Sequence, residues 1–169
     1  MKSLIIDVSR VKKDVGAVAE YRFSDVSLST GTVTYTDLDV SGKVLNNGAV
    51  LEVAGRIMGQ ARFVCGRCLE SYLAKVEIPF LADFREGSPE RDPEADVSWY
   101  QGDCINITEP VREALILAEP FKPICRQTCR GLCPVCGKNL NIESCACTTE
   151  TINPKFAVLQ KLLDANQEP

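Results

Sequence analysis

Eight of the nine cysteines in this 169-residue chain fall into four closely spaced pairs. The pairs are Cys65-x2-Cys68, Cys125-x3-Cys129, Cys133-x2-Cys136 and Cys145-x-Cys147, and Cys104 is left over. A tetrahedral zinc site takes four thiolates with Zn–S of about 2.3 Å, and two ligands on one tight turn reach the same ion readily. Four pairs make two four-cysteine sites, so whatever fold forms must bring these turns together two by two. The chain has no histidine, which excludes a mixed Cys/His zinc site, a Ser-His-Asp triad and a Cys-His dyad.

Two partitions of the pairs are open. Cys133-Pro134-Val135-Cys136-Gly137 reads as a zinc-knuckle turn, stiffened by proline and bent at glycine so that backbone N–H groups can face sulfur. Cys145 and Cys147 return soon after and close a local site with it. Cys65 and Cys68 then join Cys125 and Cys129, which would clip the C-terminal segment to a β-hairpin. The rival partition groups Cys125, Cys129, Cys133 and Cys136, leaving Cys65 and Cys68 to Cys145 and Cys147. Other chemistries fit less well. A dithiol redox motif opens a helix in a βαβ unit, whereas Cys65-x2-Cys68 follows a strand. A disulfide framework suits a secreted chain. Iron–sulfur runs have tighter repeated spacing. Cys104 reads as a buried or semi-buried small hydrophobe.

The first half of the chain alternates apolar and polar residues with period two, the signature of half-buried strands. Ala17, Ala19, Tyr21 and Phe23 share one face, as do Leu38, Val40 and Val44. Asn46-Asn47-Gly48 marks a hairpin turn before Leu51, Val53, Ile57, Ala61 and Phe63. A further strand runs from about Leu69 to Phe84. The expected fold is α+β. An antiparallel β meander closes as a sandwich or barrel-like sheet, and two helices flank a cysteine-rich zinc segment. A β body spans 1–104. Residues 105–169 hold a helix, the zinc segment 123–148 and a C-terminal helix packed on that body. Residues 83–103 carry seven acids against two arginines and read as a solvated acidic loop with a short strand near Val97–Tyr100. Thr108 is placed as N-cap of the first helix, with Val111, Ala114, Leu115 and Ala118 on its buried face and Ile116 and Leu117 widening it. The second helix starts at Asn153-Pro154 and carries Phe156, Leu159 and Leu163 on one face.

Charge narrows the function. The net charge is −4, which is no general nucleic-acid coat. Between Pro120 and Ile142, however, Lys122, Arg126, Arg130 and Lys138 stand without one Asp or Glu, and Arg67 adds a cation beside Cys65 and Cys68. The segment reads either as a phosphate-contacting patch or as counter-charge to thiolates, since a four-thiolate zinc site is itself anionic. Aromatic residues are 7% of the chain, too few for a base-stacking platform, so contacts to structured RNA would run through its shape and backbone. Four thiolates saturate a metal ion and leave no open position for water. No P-loop or dinucleotide fingerprint is present. No catalytic residue is assigned, and the expectation is a non-enzyme. No apolar run approaches the ~20 residues of a membrane span or the ~7–15 of a signal h-region, so a cytoplasmic location without membrane contact is expected.

The runs Phe63-Val64-Cys65-Gly66-Arg67-Cys68-Leu69 and Pro123 through Asn141, the Cys145-Ala146-Cys147 pair and the closing Asn153-Pro154-Lys155-Phe156-Ala157-Val158-Leu159 resemble the YceD family of large ribosomal RNA subunit accumulation proteins. The resemblance implies a bacterial factor for 23S rRNA accumulation or processing and large-subunit assembly. Its partners would be 23S rRNA precursor or an assembly intermediate, and no small-molecule substrate. It supplies no catalytic residues. The metal positions are Cys65, Cys68, Cys125, Cys129, Cys133, Cys136, Cys145 and Cys147, with RNA contact assigned to Lys122, Arg126, Arg130, Lys138 and Arg67. The alternative is a zinc-stabilised adaptor that recruits an RNase or a ribosomal protein and never touches RNA. A third reading is a thiol oxidoreductase using Cys65 and Cys68.

Overall fold

The computed structural model describes residues 3–88 and 97–148. The chain divides into two compact units, one of residues 1–66 with 70–125 and one of 67–69 with 126–169.

The first unit is built on four long strands: β2 (Val18–Ser29), β3 (Thr34–Asn46), β4 (Leu51–Val64) and β5 (Ser71–Glu86). They pair in sequence order as an antiparallel meander, and a short β6 (Ser98–Tyr100) adds in parallel to the end of β5. Before them lie β1 (Ile5–Asp7) and a 3-10 turn, Val11–Lys13; after them β7 (Cys104–Asn106) leads into α1 (Thr108–Leu117). β1 and β7 form a separate two-stranded ribbon.

The period-two pattern buries one face of the meander. Register places Val40 opposite Ile57, Ile57 opposite Ile78, and Val44 opposite Val53. Val40, Val44, Val53 and Ile57 are all fully buried. Ile6, Val11, Ile105, Val111 and Leu115 join the same apolar cluster, and the Tyr35 hydroxyl donates to the carbonyl of Leu115 at 3.3 Å. The ribbon and helix thus complete the core that a second sheet would otherwise supply. The expected sandwich or barrel-like closure is replaced by an open sheet with β2 and β6 at its edges.

The strands are longer than their alternation suggests because bulges break the pattern. Register shifts between Phe23 and Val26 and between Thr36 and Asp39 enclose Asp25 and Asp37, both in the left-handed region at φ 55° and 53°. Each bulge restores the apolar face one residue out of phase. At Gly55 the chain passes so close to Tyr21 that an added Cβ would collide with the Tyr21 hydroxyl and the Phe80 ring.

Four further expectations are corrected. The acidic stretch is shorter than 83–103, because β5 runs on to Glu86 and β6 begins at Ser98, anchored by buried Phe84 and Tyr100; residues 89–96 lie outside the described residues. Thr108 is not a cap but the first residue of α1. The N-cap position is Ile107, which brings no side-chain cap; the Thr108 hydroxyl instead accepts the N–H of Leu4 at 2.9 Å and donates to Asn106 Oδ1, which also takes the Thr108 N–H. Ile116 and Leu117 are 47% and 86% exposed and do not widen the buried face. Cys104 is exposed rather than buried, because in β7 the inward position of the alternation belongs to Ile105. One α-helix is present among the described residues, and the second, from Asn153-Pro154, lies outside them. No described helix is long and apolar enough to cross a membrane.

Candidate metal centres

In the second unit the knuckle is a closed turn. Cys133 N–H donates to the Lys138 carbonyl at 2.8 Å, and Gly137 N–H donates to the Cys133 carbonyl at 2.9 Å. Gly137 takes φ 73° to do so, a conformation glycine adopts without strain. The turn also aims backbone at sulfur, with Val135 N–H donating to Cys133 Sγ at 3.4 Å. The Sγ atoms of Cys133, Cys136, Cys145 and Cys147 all lie within 4.8 Å of one another. A zinc tetrahedron with Zn–S of about 2.3 Å has S···S edges of about 3.8 Å, so the four donors need only a small contraction.

The protonation of this group fits a ligand set. Backbone N–H groups of Cys136 and Val135 stabilise the Cys133 thiolate and pull its pKa down to about 6. The hydrogen bond with the Cys136 side chain, joined by desolvation, pushes Cys147 up to about 12. Without a metal the sulfurs share protons; an ion that displaces those protons turns all four into ligands.

The second group starts from the tip of the β4–β5 hairpin. Cys65 N–H donates to the Glu70 carbonyl at 2.9 Å, and Gly66 N–H donates to that of Pro123 at 2.7 Å. Cys125 N–H in turn donates to Cys65 Sγ at 3.4 Å. Tyr72 is pushed up by burial and then by the charge of the Cys65 and Cys125 sulfurs. On the other turn, Cys129 N–H donates to the Arg126 carbonyl at 3.0 Å. Cys65, Cys68, Cys125 and Cys129 also hold their Sγ atoms within 4.8 Å of one another, and three of the four are buried. The pairs thus assemble in the first of the two partitions, and both sets fit a tetrahedral ion that prefers thiolate.

The cations around the cysteines are largely committed to the fold. Arg67 Nη1 donates to the carbonyls of Cys129 at 3.1 Å and Gln127 at 3.4 Å, and the Arg67 carbonyl accepts Leu132 N–H at 3.0 Å. Arg126 donates to Asn141 Oδ1 at 3.0 Å. Lys138 pairs with Glu143 at 2.9 Å, an acid one residue beyond the stretch that reads as acid-free. Lys122 and Arg130 form no ion pair among the described residues. All five cations are exposed; three of the side chains also hold loop contacts, and those of Lys122 and Arg130 do not.

Asn141 is the residue that the chemistry of the sequence does not flag. Its Oδ1 accepts from Arg126 and from the Arg130 N–H, and its Nδ2 donates to Cys129 Sγ at 3.4 Å and to Asn139 Oδ1 at 2.8 Å. One amide thus ties a ligand sulfur to two cationic residues. An Asn near a cysteine pair is an ordinary turn residue until the loop is folded, so spacing gives it no mark.

A family model described as "Large ribosomal RNA subunit accumulation protein YceD" matches residues 53–163. Relatives in Mycobacterium tuberculosis and Mycobacterium bovis, each named only as an uncharacterized protein, are 26% identical over 173 residues, covering 95% of this chain and 81% of theirs. An uncharacterized protein of Mycobacterium leprae is 28% identical over 114 residues, covering 66% of this chain and 52% of its own. No solved structure matches.

Proposed function

The chain belongs to the YceD family of large ribosomal RNA subunit accumulation proteins, and from that premise we propose a non-enzymatic, zinc-stabilised cytoplasmic factor that supports 23S rRNA accumulation and large-subunit assembly. The observation that carries the metal half of this reading is the pair of four-thiolate groups, each with all its sulfurs within 4.8 Å. Zinc suits such soft, tetrahedral sites. Bound there it would supply folding energy and no open coordination position. The same saturation speaks against Lewis-acid catalysis, and the chain has no histidine to move a proton.

RNA contact in this reading rests first on Lys122 and Arg130, the two cations of the segment whose side chains take neither an ion pair nor a hydrogen bond among the described residues. Each phosphate contact lowers log affinity with log salt by about 0.7–0.9, so two contacts give a slope of roughly −1.4 to −1.8. The test has two arms. Cells lacking the gene should accumulate 23S precursor and yield fewer large subunits on gradients; unchanged profiles would overturn the assembly role. Lys122→Gln with Arg130→Gln should weaken binding to 23S precursor and flatten the salt slope, zinc content being equal. Unchanged affinity would remove direct RNA contact and leave a protein-binding adaptor.

A further inference from the structure

We infer that the groove between the free edge of β5 and helix α1 receives an extended basic segment of a partner protein as an added strand. This rests on the assembly role only for where the partner is to be sought; the chemistry of the groove stands apart from it. β5 is hydrogen-bonded to β4 from Ser71 to Phe84, but to β6 only over Phe84–Glu86. Its other edge, from Ser71 to Asp83, carries no strand among the described residues. A proline is accommodated in a paired strand only where its missing N–H faces away from the neighbour. Pro79 therefore sets the phase, and the backbone groups of Glu77, Pro79 and Leu81 point to the free edge. They offer three carbonyl acceptors and two N–H donors, the ladder that an incoming strand needs.

The edge is one wall of a groove of about 760 Å³, formed by Ile78–Asp83, with Glu113, Ala114 and Leu117 of α1 on the opposite wall. Leu81 and Leu117 are 66% and 86% exposed, apolar surface that an alternating strand would cover. The charge selects the occupant. Asp83 and Glu113 line the groove, and no Lys or Arg does. Asp83 Oδ1 is shut off from solvent yet accepts no hydrogen bond. Asp83 also stands directly opposite Glu52 across the β4–β5 pair, and like charges at such positions destabilise a sheet. Arg85, two residues on, lies over the Trp99 ring at 5.7 Å. A lysine or arginine on the added strand would bring positive charge to the Asp83 and Glu113 carboxylates that line the groove and relieve the repulsion between Asp83 and Glu52. Phosphates would meet carboxylates there, so the groove selects basic protein rather than nucleic acid.

The probe is a fluorescent, end-capped nonapeptide alternating valine and lysine, titrated by anisotropy into the full-length metal-loaded chain. It is compared with a valine–glutamate peptide and with the valine–lysine peptide N-methylated at every second residue. The unmodified basic peptide should bind at least tenfold more tightly than either control. Its binding should move the amide resonances of Glu77–Asp83 and α1, and Asp83→Asn with Glu113→Gln should weaken it at least tenfold. Equal binding of the N-methylated peptide would overturn strand addition, and equal binding of the acidic one would overturn the charge selection. Resonance changes elsewhere, preferential capture of an oligonucleotide at this groove, or no binding at millimolar peptide would overturn the site. The resonance map uses the native chain and holds even if the double variant folds poorly. Loss of peptide binding in a variant that still restores normal 23S profiles would overturn the groove's part in assembly and leave the assembly role itself standing.

Discussion

The buried apolar cluster of this chain, from Leu4 to Leu115, lies wholly in the first unit, whereas the buried side chains of the second unit's described residues that count as apolar are Cys68, Cys129 and Cys133. There Leu132 and Leu140 are half-buried, and Val135 and Ile142 face outward at 62% and 78% exposure. One unit is held by many interlocking side chains, each worth a little. Among its described residues the other buries chiefly cysteine sulfurs, grouped so that they could hold an ion. Among the described residues, the segment with the least apolar burial carries cysteine pairs where a core would be.

The comparison breaks most sharply on metal removal. Structural zinc contributes about 10–16 kcal/mol of apparent binding energy in small modules at neutral pH. A chelator should therefore collapse the amide dispersion of residues 126–148 while the β2–β5 amides persist, and elemental analysis beforehand should find two zinc ions per chain. Simultaneous loss of both sets would show that the first unit also depends on the ion. Acid should act in the same sense. Protons compete for thiolates, so the metal is retained at high pH and released as pH falls, with the sheet still folded by circular dichroism.

A core substitution tests the other side. Ile57 is fully buried, and Ile→Ala at such positions costs about 2–5 kcal/mol. Ile57→Ala should lower the unfolding free energy of the sheet by that much in denaturant titration and leave two zinc ions bound; a loss of zinc would mean that the units are energetically one. A smaller effect is expected of Asn141→Ala. It removes the amide that donates to Cys129 Sγ and accepts from Arg126 and the Arg130 N–H, and groups that hold metal ligands typically change affinity by about 10–100-fold. Competition with a chromophoric chelator should show one of the two ions leaving about tenfold more readily. The smallest effect belongs to Cys104→Ser. That side chain is exposed on β7 and outside both sulfur groups, so stability should stay within about 0.5 kcal/mol, with metal content intact. A larger loss would assign Cys104 a role that neither unit shows.

What was legible in the sequence follows from the range of the interactions involved. The inward faces of β3 and β4 read directly, because Val40, Val44, Val53 and Ile57 alternate without interruption near them. The pairing of cysteines was readable as pairs, since each lies on one turn; which turns meet is a matter of contacts 60 residues apart, such as Cys125 N–H to Cys65 Sγ. β1 and β7 escaped because three residues of alternation carry no signal until Ile6 meets Ile105. β2 looked short because the bulge at Asp25 inverts its phase. The contacts of the cationic segment were not legible for a simpler reason. Counting charges cannot see that the exposed side chains of Arg67 and Arg126 also donate to carbonyl and amide oxygens, or that Glu143, just past Ile142, pairs with Lys138.

The pairing of β1 with β7 has a consequence for how this chain is made. Leu4 finds its hydrogen-bond partner in Thr108, 104 residues later, and Ile5 and Asn106 are paired beside it. On a ribosome adding ~5–20 residues per second, the first strand waits roughly 5–20 s for its partner to be translated. During that interval β2 through β5 can pair with their sequence neighbours as each emerges, but the buried face they build stays uncovered until α1 has left the exit tunnel. The order of synthesis therefore leaves one apolar surface open until the last elements of the first unit arrive, and that unfinished interval is when a nascent chain of this topology is most open to capture by another chain or by a chaperone.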